Sequence, residues 1–349
     1  HNRDFCPRWN DYRGDSIMAI NVTKPSVNLR EKLNELETNK GLKGNEILQA
    51  ETAQEVRSLI GAGRKNLIIN GGFDVWQRGT SFGYSSSPQY TADRWTTWGG
   101  STQSVTVTQS TIGARITTTS YDGANLLEHR LEGTYVAGKT VTLSVKTGSV
   151  CSNAVVMLYT RTSAGSWQNT PINSGLLANT INTFTAFIPA DAGKINIRLT
   201  NTGSGALDLD VEYVQLELGS VATDFEHRSY GEELALCQRY CVGIFADGSN
   251  RGFVAQGHAH NGNNPVFWRQ HSTPMRVIPS ISYSSANDFN CDRGWTGNNL
   301  LAGLAIQTLR SSPECIALIG TTSGLVGGDP ATLDFSDLIN GYIIFDAEL

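Results

Sequence analysis

Charge is scarce in this chain: 17% of its 349 residues are Asp, Glu, Lys or Arg, and the acids outnumber the bases for a formal net charge of -5. Such a surface offers phosphates little to neutralise them, which argues against nucleic acid as a main partner. No apolar run approaches the roughly 18 to 20 residues of a membrane span, and the N-terminus has no apolar signal-peptide core, so membrane insertion is not expected. The six cysteines, Cys6, Cys151, Cys237, Cys241, Cys291 and Cys315, are scattered through a chain long enough not to need disulfides. Cys237 and Cys241, four apart on an expected helix, lack a second Cys or His pair to complete a metal site and read as buried free thiols. A Gly-rich phosphate loop, H-E-x-x-H, G-x-S-x-G and internal repeats are all absent. The acidic neighbours Asp208 and Asp210, and Glu128 near Glu132, read as solvated strand faces rather than catalytic pairs. The chain is therefore not expected to be an enzyme, and no cofactor is expected.

What is present is turn chemistry and alternation. Thirty-six glycines, with abundant Ser, Thr and Asn, suit a mainly β protein with many turns. Period-2 alternation predicts strands over 104–109, 114–119, 139–148, 154–162, 184–189, 194–201 and 207–218, at intervals that fit a β-sandwich. A short apolar run at 66–70, a segment through Trp76 and, after a polar loop, a segment around Trp95 read as three further strands. Beyond a helix that opens near 231, strands are expected over 239–246, 251–258, 265–270, 280–284, 300–309, 315–320 and 341–349. Helical periodicity appears only before this, with Leu29, Leu33 and Leu36 on one stripe and Ile47, Val56 and Ile60 on another. Stripes this short and narrow are not stable alone and read as the seam of an oligomer. The expected organisation is an N-terminal segment (1–26), a helical stalk (27–63), a sandwich (64–229) and a C-terminal β-rich domain (230–349). The chain opens at His1, with MAINVTKPSVNL from Met18 resembling a translation start, so residues 1–17 read either as what is left after trimming of a product initiated upstream or as an extension ahead of Met18. Phe5, Trp9 and Tyr12 lie there without periodicity and read as an anchor ordered by a partner.

Five segments carry a family resemblance. NLIINGGFDVWQRG (66–79) with YTADRW (90–95) resembles the opening of a jelly-roll, carbohydrate-binding-like domain common in tailed-phage fibre and receptor-binding proteins. The matching residues are Asn66, Asn70, Gly71, Phe73, Trp76, Gln77, Arg78 and Gly79, then Tyr90, Ala92, Asp93, Arg94 and Trp95. VEYVQLELGSVATDFEHRSYGEELALCQRYC (211–241) is similar to that domain's last strand and following helix. PMRVIPSISY (274–283) and FDAEL (345–349) also look family-like.

The resemblance implies a virion structural protein, a tail fibre or receptor-binding protein that attaches to host surface polysaccharide. It further implies a homotrimer joined through its N-terminus to another virion protein, such as a tail adaptor, nozzle or baseplate. The expected location is the virion tail, after assembly in the host cytoplasm. The alternatives are a capsid-attached head fibre or decoration protein, and a glycan-depolymerising tailspike. Candidate glycan contacts are Trp98, Tyr159 and Trp167 in the sandwich, and Phe289 and Trp295 in long polar loops of the C-terminal domain, since flat rings stack on pyranose faces. His258 and His260, two apart on a strand, would share a face and supply six nitrogens around a threefold axis, an arrangement some trimeric fibre tips use. His271 lies close by in sequence and reads equally as a partner or a bystander.

Overall fold

Alternating apolar residues bury one face of each strand, and here two such faces close on each other. In the computed structural model, the described residues are 65–348, apart from 84–86, 99–104, 120–124, 202–204, 249–251 and 293–298, and all fall within one compact unit. The expected anchor Phe5, Trp9 and Tyr12 and the seam Leu29, Leu33, Leu36, Ile47, Val56 and Ile60 lie outside the described residues, as does Trp295.

Twelve strands build the first β body. They are β1 (Ser81–Phe82), β2 (Gln89–Tyr90), β3 (Trp95–Trp98), β4 (Val105–Gln109), β5 (Ala114–Thr118), β6 (Asn125–Arg130), β7 (Thr140–Ser152), β8 (Ala154–Arg161), β9 (Trp167–Gly175), β10 (Ile181–Phe187), β11 (Lys194–Asn201) and β12 (Leu207–Leu218). They form two antiparallel sheets, ordered β1-β4-β5-β12-β7-β10 and β2-β3-β6-β11-β8-β9. The chain passes repeatedly between the sheets, a jelly-roll-like sandwich. Val107, Ile116, Leu143, Val145, Leu209 and Leu216 of the first sheet meet Trp95, Leu127, Val156, Leu158, Ile197 and Leu199 of the second in one buried core. Sequence alternation missed β1, β2, β6 and β9. The last, WQNTPINSG, is mostly polar between Trp167 and the buried Ile172 and contains a proline, which an edge strand tolerates because one row of its backbone groups needs no partner.

A single helix, α1 (Tyr230–Gln238), joins this body to the next. Ser229 caps it, accepting from the Glu232 amide while the Glu232 carboxylate returns to the Ser229 amide, a capping box. The expected shared helix of Cys237 and Cys241 is corrected here: α1 ends at Gln238, and Cys241 opens a strand. Both are buried free thiols.

The second body comprises β13 (Cys241–Phe245), β14 (Phe253–Ala259), β15 (Pro265–Gln270), β16 (Ser280–Tyr283), β17 (Phe289–Asp292), β18 (Asn299–Leu300), β19 (Gly303–Ile306), β20 (Cys315–Thr321), β21 (Pro330–Phe335) and β22 (Tyr342–Asp346). A three-stranded sheet, β13-β22-β16, faces a seven-stranded one, β18-β17-β21-β14-β15-β20-β19. Their shared core includes Phe267, Leu318, Leu333, Phe335, Ile343 and Phe345.

The segment 66–76 differs from its strand expectation: it is a series of turns. Asn70 and Phe73 adopt φ of 56° and 58°, and Arg94 71°, a left-handed conformation that no strand contains and that L-residues reach at a cost of about 1 kcal/mol each. Buried hydrogen bonds hold them there. The Asn70 side chain accepts from the Val75 amide and donates to the Val75 and Asp93 carbonyls at 2.8 and 2.9 Å. Gly71 is required for a different reason, since a Cβ there would lie 2.3 Å from the Val214 carbonyl oxygen.

Candidate functional site

The outward face of the β2-β3-β6-β11-β8-β9 sheet carries an aromatic platform on a buried polar frame. Trp167 is 50% exposed and lies flat on Tyr159, with ring centroids 4.6 Å apart and planes within 9°. Tyr159 is wholly buried beneath it. Its hydroxyl donates to Glu128 and accepts from the Arg198 guanidinium at 3.0 Å. Glu128 also accepts from Arg130 at 2.9 Å, from Asn196 at 2.8 Å and from Arg198 at 3.3 Å. Burial opposes ionisation of Glu128, but the Tyr159 hydroxyl and the two guanidinium groups outweigh it and hold the carboxyl below its usual range. Burial and the adjacent Glu128 push the Tyr159 phenol up. Arg198 and Arg161 lie 4.7 and 5.5 Å from the Tyr159 ring centre, so long side chains roof an outer face that would otherwise be open.

Of the sandwich candidates, Trp98, Tyr159 and Trp167 all belong to this one sheet, on β3, β8 and β9. Only Tyr159 and Trp167 adjoin; the Trp98 side chain lies outside the described residues. Tyr159 as a glycan contact is corrected, because the ring is covered and serves as the support under Trp167. Glu128 as part of a solvated strand face is corrected too: it is 1% exposed, and Glu132 is a separate group bound to Arg239 and Tyr240. Asp208 and Asp210 do pair with Arg115 on a partly exposed face. The polar frame was hidden in the sequence because outward polar residues on a strand look alike whether they meet solvent or one another.

In the second body Phe289 is corrected from loop contact to core: it is fully buried, edge-on to Tyr283 and beside Phe335. His258 is on β14, but the strand ends at Ala259, so His260 is in the following turn, its amide donating to the Asn264 carbonyl. The shared-face argument for the pair therefore stops one residue short. His271 is buried edge-on to Phe345, and burial beside Arg269 pulls its imidazole down to about 4. Among the described residues no three His, Cys, Asp or Glu side chains gather as a metal site would require.

The segments that carry the family resemblance meet between the two β bodies. Gln77 accepts from the Gly243 amide and donates to the Cys241 carbonyl, and both its amide groups also bind Asp93. Arg78 pairs with Asp346 at 3.0 Å and Glu348 at 3.3 Å. Arg94 pairs with Glu348 while its guanidinium sits 3.7 Å from the Tyr240 ring centre. Arg276 grips the same tail through the Ala347 and Glu348 carbonyls at 2.8 and 2.6 Å. Glu233, in the first turn of α1, accepts from the Asn70 amide and from Arg228. Burial pushes the Asp93 carboxyl up to about 6 against the pull of Arg78 and Gln77. These residues form a polar weld around the small apolar cluster of Ile69, Val75, Cys237 and Tyr240.

No protein-family model matches the sequence, and no curated protein matches it. Among solved structures, the chain is similar to the C-terminal family 22 carbohydrate-binding module of Clostridium thermocellum Xyn10B, at 14% identity over 41% of this chain and 98% of that one, with a TM-score of 0.28. It is also similar to the xylan-binding module CBM15, at 18% identity over 41% and 100%, with a TM-score of 0.28. A third is the enzymatically active domain of bacteriophage CBA120 tailspike protein 4, at 14% identity over 44% and 21%, with a TM-score of 0.24. With TM-scores this low, none of them identifies the chain or its ligand.

Proposed function

We propose that this chain is a saccharide-binding attachment protein that holds its ligand on Trp167, at the outward face of the second sandwich sheet. The observation that carries this reading is the exposed Trp167 ring, fixed flat on Tyr159 above the Glu128 frame. A sugar ring stacks its C–H face on such a platform, and neighbouring polar ends address its hydroxyls. Two arginines, Arg130 and Arg198, bind the single carboxylate there and a third, Arg161, lies over the Tyr159 ring, so cations outnumber the carboxylate and the ligand favoured is a saccharide bearing acidic groups, which guanidinium binds in a planar fork.

Binding without turnover fits the same geometry. Glycoside hydrolysis generally uses two carboxylates, and on the described strands of this sheet Glu128 is the only one, held ionised by its donors. The sequence resemblance extends the reading to a virion: a tail fibre or receptor-binding protein on the tail, trimeric through the 27–63 stalk and joined to another virion protein through the N-terminus. Locating the chain on particles by electron microscopy separates this from a head fibre.

The binding reading is tested with the full chain on immobilised oligogalacturonate. Trp167→Ala should weaken binding at least tenfold, the loss expected of an anchoring aromatic, with the thermal midpoint little changed. Wild-type binding that survives the substitution intact places the site elsewhere.

A further inference from the structure

The outward face of the seven-stranded sheet holds a groove of about 520 Å³, bounded by Gln256, His258, Trp268, Asp292, Pro330 and Thr332. That volume lies within the roughly 300 to 1,000 Å³ of ordinary ligand sites. Register builds it. Asp292 is opposite Thr332, Thr332 opposite Gln256, and Gln256 opposite Trp268, so four side chains form one row across β17, β21, β14 and β15. Residues directly opposite in a ladder point to the same face, and at about 4.8 Å per strand the row extends about 14 Å. His258, two residues from Gln256, shares that face and stacks on Trp268 with centroids 5.3 Å apart. Between these side chains the lining is Gly257 and Ala331, so the floor is close to bare backbone.

We infer that this groove is a second saccharide site, in the C-terminal body, and that it takes a sugar without acidic groups. A stacked Trp–His pair beside Pro330 offers a flat apolar wall, and an amide, a hydroxyl and a carboxylate follow in line along the row. That sequence matches an extended saccharide laid across the strands, one face apolar and the hydroxyls at its edge. Other ligand classes fit less well. Among the described lining residues the formally charged group is the Asp292 carboxylate, which disfavours a phosphate or uronate beside it. The four strands lie inside the sheet, with ladder neighbours on both sides, so a peptide has no free edge to extend. This site is chemically opposite to the arginine-rich platform around Trp167.

The test uses the full chain with immobilised cellohexaose and chitosan hexamer, and oligogalacturonate as the acidic probe. Trp268→Ala should weaken binding of cellohexaose or chitosan hexamer at least tenfold and leave oligogalacturonate unchanged. Gln256→Ala, at an exposed position whose loss spares the fold, should weaken the same probes several-fold. Trp167→Ala should leave these probes unaffected, so the two sites fail independently. Failure of the wild-type chain to bind either non-acidic probe, or undiminished binding by both groove variants, overturns the inference.

Discussion

Single buried groups set the terms of this protein's stability, and Asp93 is the clearest case. Its carboxyl is fully buried, held between Gln77 and Arg78, yet the cost of burial prevails and raises it from an ordinary 3.8 to about 6. The folded state therefore keeps this proton at a pH where the unfolded chain has released it. Stability from Asp93 is full below about pH 4 and is lost as the pH rises to about 6, on the order of 3 kcal/mol by linkage. Carboxyls held low, such as Glu128 and Glu226, act in the opposite sense and lose their contribution only on acidification. Asp93→Asn should remove the downward limb between pH 4 and 6, so that the variant gains on the wild type as pH rises. Urea unfolding across that window checks it; parallel curves for the two proteins would exclude Asp93 as the source.

Among the elements, the turn at 66–76 shows how a motif can mislead about local structure and still matter. Its Asn-Gly pair and apolar run look like a strand and hairpin, but Asn70 has φ of 56° and uses both ends of its side chain on buried backbone. Asn is among the few residues that reach this conformation and can also bridge it. Asn70→Ala should cost about 3 kcal/mol, combining the left-handed backbone with unpaired buried groups. Asn70→Gly should recover about 1 kcal/mol of that, because glycine accepts the backbone but not the bridging role. Equal losses for Ala and Gly by denaturant unfolding would assign everything to the side-chain bonds.

For the whole molecule, the C-terminal tail is the fastener. Glu348 neutralises Arg94 and Arg78, whose side chains are 1% and 8% exposed. Glu348→Ala leaves two buried cations short of a partner, a loss of about 3 to 5 kcal/mol where a buried pair is broken. Because the pair spans the two hydrophobic cores, the expected outcome is loss of coupling as well as stability: one calorimetric transition in the wild type, two in the variant. A single transition merely shifted downward would mean that the apolar cluster around Tyr240 couples the bodies without the tail.

Local pattern alone determined the β class, most of the sandwich strands and the helix that opens near 231, because period-2 burial is written in neighbouring residues. The family resemblance marked the segments 66–79, 90–95, 211–241, 274–283 and 345–349 without revealing that they meet. Their meeting depends on contacts such as Arg94 with Glu348, 254 positions apart, which no local pattern encodes. The same holds for the candidate sites. Trp167 was legible as an aromatic in a polar stretch, but its support by Tyr159, the burial of Glu128 and the row from Asp292 to Trp268 follow from strand order and register. Only the folded sheet decides which outward side chains face water and which face one another.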